Sequence, residues 1–203
     1  MAIQLTKGQR IDIGLQKLSV GLGWDPNPNA SSHDYDLDAS AFMLAADGQV
    51  PTEEFFVFYK SSCRNPRASQ YPDGKPCSPD SAVESSGDDR TGGNSEGDDE
   101  ILTVDLGRLD PRIEQIIFTV TIDEFDERKQ NFGQVRNSFI RICDATNGQE
   151  LCKYDLDEDF SVETAIEFGR LYKRGTSWRF EAIGIGAGGG LQTFVNKYAK
   201  RFM

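Results

Sequence analysis

Histidine is almost absent from this sequence: His33 is the only one. Chemistry that needs an imidazole base is confined to that position, beside Asp34. No Ser-His-Asp order and no nucleophile elbow accompanies it. A lone histidine in such a setting reads as a surface residue. Long apolar runs are missing as well. No stretch approaches the roughly 20 residues that a membrane-spanning helix needs. The opening MAIQLTKGQRIDI lacks the apolar segment of a secretory signal, so a cytoplasmic location is expected. Bases are scarce against 33 acids, leaving a net charge of −11. A phosphate backbone requires a basic footprint, so nucleic acid is excluded as a partner. The four cysteines, Cys63, Cys77, Cys143 and Cys152, show no CxxC spacing, which argues against a zinc ribbon. Cys143 and Cys152 lie in alternating apolar segments and read as core. Cys63 and Cys77 bracket a Pro-rich loop that could bring them near each other. A disulfide between them is disfavoured in a reducing cytosol.

What the chain does have is strand periodicity. Apolar or alternating runs recur at 11–15, 18–22, 40–45, 54–59, 101–106, 116–122, 138–142, 150–156, 164–172 and 178–185, most bounded by turn residues. Thr146-Asn147-Gly148 is a hairpin signal, with positive φ expected at both Asn147 and Gly148. Arg174-Gly175 marks a second hairpin. About ten short strands with frequent turns predict an all-β sandwich of two sheets. Helices are few. Asp110-Pro111-Arg112 reads as a helix start, and 126–132 as another short helix. Leu191, Phe194, Val195 and Tyr198 share one face of an expected C-terminal helix over 191–202. Its bases, Lys197, Lys200 and Arg201, make that helix amphipathic, and docking on the sandwich is its expected role. The glycines at 184, 186 and 188–190 read as a tight turn packing this helix rather than a phosphate cradle, since no Lys-Ser/Thr follows.

From Glu84 to Glu100 there is no apolar residue; seven positions are acidic and Arg90 is the only base. Such a stretch is either a solvated spacer or is neutralised from outside the chain. A second acidic run, HDYDLDAS, alternates Asp34, Asp36 and Asp38. In extended backbone these would project to one side, roughly 7 Å apart. Asp98 and Glu100 have the same spacing where the apolar strand ILTVDL begins. Asp25 follows Gly23-Trp24. Crowded like charges are unfavourable, and more so where water is partly excluded. A hard divalent cation reverses that sign. Calcium accepts six to eight oxygens in irregular geometry, whereas magnesium demands a tight octahedron. Gly87, Gly92, Gly93 and Gly97 let the backbone turn its carbonyls inward, and Thr91, Asn94 and Ser95 add neutral oxygens. This is not an EF-hand: Ala39 stands where the turn glycine belongs and Ala45 where the bidentate glutamate belongs. Any site must be assembled from distant segments.

These segments resemble the TerD family of tellurite-resistance and stress proteins. The likeness is carried by GWDPN, DYDLDASAFML, SGDDRTGGNSEGDDEILTVDL, IIFTVTI and FEAIGIGAGGGLQTFVNKY, and covers nearly the whole chain. The family's calcium motif, Gly-Asp-Asn-x-Thr-Gly-x-Gly-x-Gly-Asp-Asp-Glu, matches Gly87 to Glu100, with Asp89 for the usual Asn and one extra residue in the middle. The resemblance implies a sandwich binding two calcium ions in a shared acidic cluster, without known catalytic activity. It implies roles in tolerance of tellurite and other chemical stress and in phage or colicin resistance, exercised with protein partners of that system. By position it assigns Asp88, Asp98, Asp99 and Glu100 as motif acids, with Asp25, Asp36 and Asp38 as companions and Asp89, Glu96 and Asp34 as weaker members. The chain reads as one domain over 1–203. It departs from the family in a Cys-bracketed insertion at about 61–77, whose bases Arg64, Arg67 and Lys75 run against the overall charge.

Two other readings compete. Calcium could bridge the acids to lipid phosphates, giving peripheral membrane attachment. Paired carboxylates could serve a glycosidase, but a sugar site wants aromatic platforms. Trp24 neighbours Asp25, while Trp178 lies in a strand and reads as core.

Overall fold

A computed structural model describes residues 2–29, 32–65, 73–93, 97–156 and 160–202. Its strands are β1 (Ile3–Gln4), β2 (Arg10–Ile13), β3 (Lys17–Gly23), β4 (Leu37–Leu44), β5 (Phe56–Val57), β6 (Arg64–Asn65), β7 (Lys75–Pro76), β8 (Val83–Ser85), β9 (Glu100–Asp105), β10 (Gln115–Ile122), β11 (Phe139–Asp144), β12 (Glu150–Asp155), β13 (Ala165–Arg174) and β14 (Ser177–Ala187). The helices are α1 (Phe125–Arg128) and α2 (Gly190–Tyr198). One six-stranded sheet runs β1-β12-β11-β3-β9-β8 and the other β2-β14-β13-β10-β4-β5. Only β1 on β12 pairs in parallel within these sheets; the rest is antiparallel. The expected all-β sandwich is therefore the fold.

Alternation explains which faces meet. In β9, Leu102 and Val104 are buried while Thr103 is exposed, and in β3, Leu18, Val20 and Leu22 are buried. These side chains meet those of β4 and β10, both nearly continuous buried strands at the centre of their sheet. Central strands covered on both sides carry such unbroken apolar runs. The outer cover of β4 is α2: Phe42 stacks on Phe56 at 4.2 Å and lies 5.4 Å from Tyr198. The even positions of β4 thus face α2, and the expected docking of the C-terminal helix holds.

All ten expected strands appear, and the structure corrects several local expectations. Residues 54–59 begin as a 3-10 turn, Glu53–Phe55, and only Phe56–Val57 pair as a strand. Asp110 does not open a helix. Its carboxylate accepts the Arg112 amide at 2.9 Å and its carbonyl accepts the Ile113 amide, so it closes a turn. The helix expected at 126–132 shrinks to α1, followed by a separate 3-10 turn at Phe132–Gln134. Left-handed Lys129 ends α1. The hairpin at 146–148 forms, but only Gly148 has positive φ (74°). The Asp144 carboxylate instead organises the turn, accepting the Thr146 amide at 2.8 Å. The expected Pro-rich loop between Cys63 and Cys77 contains the ribbon of β6 and β7, with 66–72 outside the described residues. Cys143 and Cys152 are buried as expected. His33 is exposed, and Trp178 is partly buried against the core.

Candidate metal centre

Strand pairing builds the acidic site. Asp38 is the second residue of β4 and lies opposite Thr121 of β10. Asp36 sits just ahead of β4 and extends the same ladder, its carbonyl accepting the Asp123 amide at 2.9 Å. Both carboxylates point to one side, and both are buried, at 3% and 5% exposure. Asp88 reaches them from the loop after β8. One oxygen from each of Asp36, Asp38 and Asp88 falls within 4.8 Å of the others. Among the described residues this is the one group of three such ligands.

The electrostatics follow from that crowding. Burial, then the charges of Asp36, Asp88 and Asp123, push the Asp38 carboxyl up to about 8. Burial and Asp88 raise Asp36, against the pull of Arg128. Burial raises Asp88 as well. Glu100 spans the two sheets. Its carboxylate accepts the Ala39 amide of β4 at 2.7 Å and the Asp89 amide at 3.2 Å. Those donors favour the ionised form, yet burial prevails and lifts Glu100 to about 9. Two arginines partly answer the charge: Arg128 contacts Asp36 at 3.3 Å and Glu124 at 2.7 Å, and Arg90 contacts Asp36 at a long 3.5 Å.

The remaining acids have other local tasks. Asp89 caps its own loop, one oxygen accepting the Thr91 and Gly92 amides at 3.0 Å each. Asp99 accepts the Trp24 amide at 2.9 Å. Asp25 accepts Asn137 Nδ2 at 2.6 Å. Asp98 pairs with Arg141 Nε at 2.7 Å, on β11 of the sheet that does not carry Asp38. Asp34 is exposed and outside the trio. Glu96 lies outside the described residues.

The loop is held in place by Trp24. Its indole Nε1 donates to the Tyr35 carbonyl at 2.9 Å, and the Trp24 main-chain carbonyl accepts the Gly93 amide at 3.1 Å. Gly92 has φ +67°, and a Cβ there would collide with the Trp24 indole. Gly92→Ala is therefore expected to cost roughly 1–3 kcal/mol through positive φ and steric clash. A thermal melt and Trp24 fluorescence would read it. An unchanged melt and spectrum would show that the loop does not rest on Trp24.

A TerD domain model matches residues 1–198. The chain belongs to the TerD domain family. It is 43% identical over 203 residues to general stress protein 16U of Bacillus subtilis (strain 168), covering 98% of this chain and 97% of that one. It is 39% identical over 203 residues to tellurium resistance protein TerD of Alcaligenes sp, with the same coverage. The crystal structure of a homologue of telluride resistance protein (TerD) from Streptomyces coelicolor A3(2) shares the fold, with TM-score 0.68 and 24% identity. It covers 89% of this chain and 95% of that one.

Several residues around this acidic cluster carry no sequence motif. Asp123 follows β10 and adds charge to Asp36, Asp38 and Asp88. Arg128 supplies a half-buried guanidinium, and Gln130 Nε2 donates to the His33 and Asp34 carbonyls at 3.1 Å. The sequence reading of this stretch covers only a short helix over 126–132 and leaves Asp123 unmarked; the relevance of these residues depends on β10 pairing with β4. The donor set is oxygen-only and comes from two separate segments, which fits a hard, geometrically tolerant dication.

Proposed function

We propose that this chain is a calcium-binding, non-catalytic module of a stress response of the tellurium-resistance type, working in the cytoplasm. The names of its relatives, a general stress protein and a tellurium resistance protein, support the stress role. No helix among the described residues is long and apolar enough to cross a membrane. The observation that carries the calcium reading is the trio of buried Asp36 and Asp38 with exposed Asp88, their oxygens within 4.8 Å and their carboxyls shifted toward protonation. Bound calcium would supply the positive charge that these carboxylates lack.

The chain's own residues do the rest. Asp38 within β4 and Asp36 just ahead of it are buried and held by pairing to the β10 end, whereas Asp88 is exposed and belongs to a loop. Glu100 couples the two by holding amides of both β4 and that loop. Neutralising the trio therefore orders residues 85–93 against Trp24 and Pro26 and presents one defined surface to a protein partner. A second ion, which the family resemblance implies, would draw on Asp25, Asp98 and Asp99 of the neighbouring loops.

Calorimetric titration tests the reading. Calcium is expected to bind more tightly than magnesium, and Asp88→Asn is expected to weaken calcium at least tenfold, about 1.4 kcal/mol, with the fold intact. Equal affinity of wild type and Asp88→Asn would remove the trio from the site.

A further inference from the structure

Cys63 and Cys77 face each other at the end of the β6–β7 ribbon. They are the next opposed pair beyond Arg64 and Pro76. The Cys77 amide donates to the Cys63 carbonyl at 3.1 Å, and the two sulfurs are 3.6 Å apart. Directly opposed, hydrogen-bonded residues of an antiparallel pair have Cα atoms about 5.5 Å apart. That lies within the range of about 4.4–6.8 Å that a disulfide accepts. Joining the sulfurs thus needs side-chain rotation rather than movement of the ribbon.

We propose that Cys63 and Cys77 form a redox-active dithiol that a peroxide converts to a disulfide. Their surroundings assign the roles. Cys63 is half-buried and lines a cavity of about 510 Å³ beside Pro79 and Asp80, open to a small oxidant. Cys77 is buried, and its thiol is pushed up to about 12 by burial and the adjacent Cys63. Cys63 therefore attacks first and Cys77 resolves. In the first step the Cys63 sulfur takes one peroxide oxygen, the O–O bond breaks and water leaves, giving a sulfenic acid. In the second the Cys77 sulfur displaces that hydroxyl, which departs as water with the Cys77 proton. Overall two thiols lose two electrons and two protons to one peroxide, and two waters form. Cys143 and Cys152 are buried in the sandwich, and burial raises both thiols, Cys152 to about 12. They are unsuited to this reaction.

The bond would close a ring of fifteen residues around the family-divergent insertion. Its two described ends meet β8: Cys77 bridges Glu84, and Asn65 Nδ2 donates to the Glu84 carboxylate at 2.7 Å. Its position is one strand away from the acidic loop.

The test treats the reduced full chain with hydrogen peroxide, blocks remaining thiols after denaturation, and maps peptides by mass spectrometry. The expected result is a Cys63–Cys77 peptide two hydrogens lighter than the dithiol, reversed by dithiothreitol, with Cys143 and Cys152 fully alkylated. A Cys143→Ser/Cys152→Ser variant should give the same link. Cys77→Ser should leave a Cys63 sulfenic acid that dimedone traps, while Cys63→Ser should leave Cys77 reduced. Over-oxidation of Cys63 with Cys77 still a thiol, links only between molecules, or preferential reaction of Cys143 or Cys152 would each overturn the proposal.

Discussion

In chelator, the protein is expected to lose stability as pH rises from 6 to 8, the reverse of ordinary acid denaturation. Folding lifts Asp38 from 3.8 to about 8 and Glu100 from 4.5 to about 9. Between those limits the folded chain holds protons that the unfolded chain has released. The stability this contributes is complete below the ordinary carboxylate values, near pH 4, and is lost progressively as pH climbs through about 8 to 9. For Asp38 alone the stability lost between the ordinary carboxylate value of 3.8 and pH 7 is on the order of 4 kcal/mol, from about 1.4 kcal/mol per pH unit. A fall in Tm of roughly 5–10 °C between pH 6 and 8 follows for a domain of this size. Calcium takes the ionised form, so saturating calcium should abolish the decline and raise Tm most at the alkaline end. At a hundredfold excess over Kd the gain is about 2.7 kcal/mol. Asp38→Asn should flatten the decline in chelator while blunting the calcium response. Scanning calorimetry at several pH values reads all of these; stability that rises from pH 6 to 8 in chelator would contradict the crowding.

Phe42→Ala should be the most damaging single change in the core. Phe42 is fully buried in β4, paired with Ile117 of β10 on one side and Phe56 of β5 on the other. Its ring stacks on Phe56 and meets Tyr198, so truncation opens a void beneath α2. Phe→Ala at such positions costs about 3–5 kcal/mol, a Tm loss of roughly 10 °C or more. The consequence reaches the site because Asp38 and Phe42 face the same side of one strand. Urea unfolding with an unchanged m-value would measure it. A loss below about 1 kcal/mol would mean that α2 does not seal this face.

Much of this arrangement is legible in the chain. Period-two runs marked the two-sheet fold, and the spacing of Asp36 and Asp38 placed them side by side because the backbone there is extended. The same logic failed for Asp34 and Asp98 for a physical reason. Both lie ahead of the regular strand, where alternation no longer governs direction. Asp98 turns instead to Arg141, while Glu100, the first residue of β9, is buried and reaches Ala39. Asp123 and Arg128 were hidden because their part depends on β10 lying against β4, a contact between residues some 80 positions apart that no local pattern encodes. Asp110 shows the limit of capping signals. An Asp-Pro step can start a helix or close a turn, and its own carboxylate, bonded to the Arg112 amide, chose the turn.

The most direct test is proton release on calcium addition at pH 7 in weakly buffered solution. Carboxyls held partly protonated by crowding must give up protons when a dication takes their place. The account predicts heat accompanied by release of about one proton or more, reduced in Asp38→Asn. Millimolar calcium that produces neither heat nor protons would contradict it.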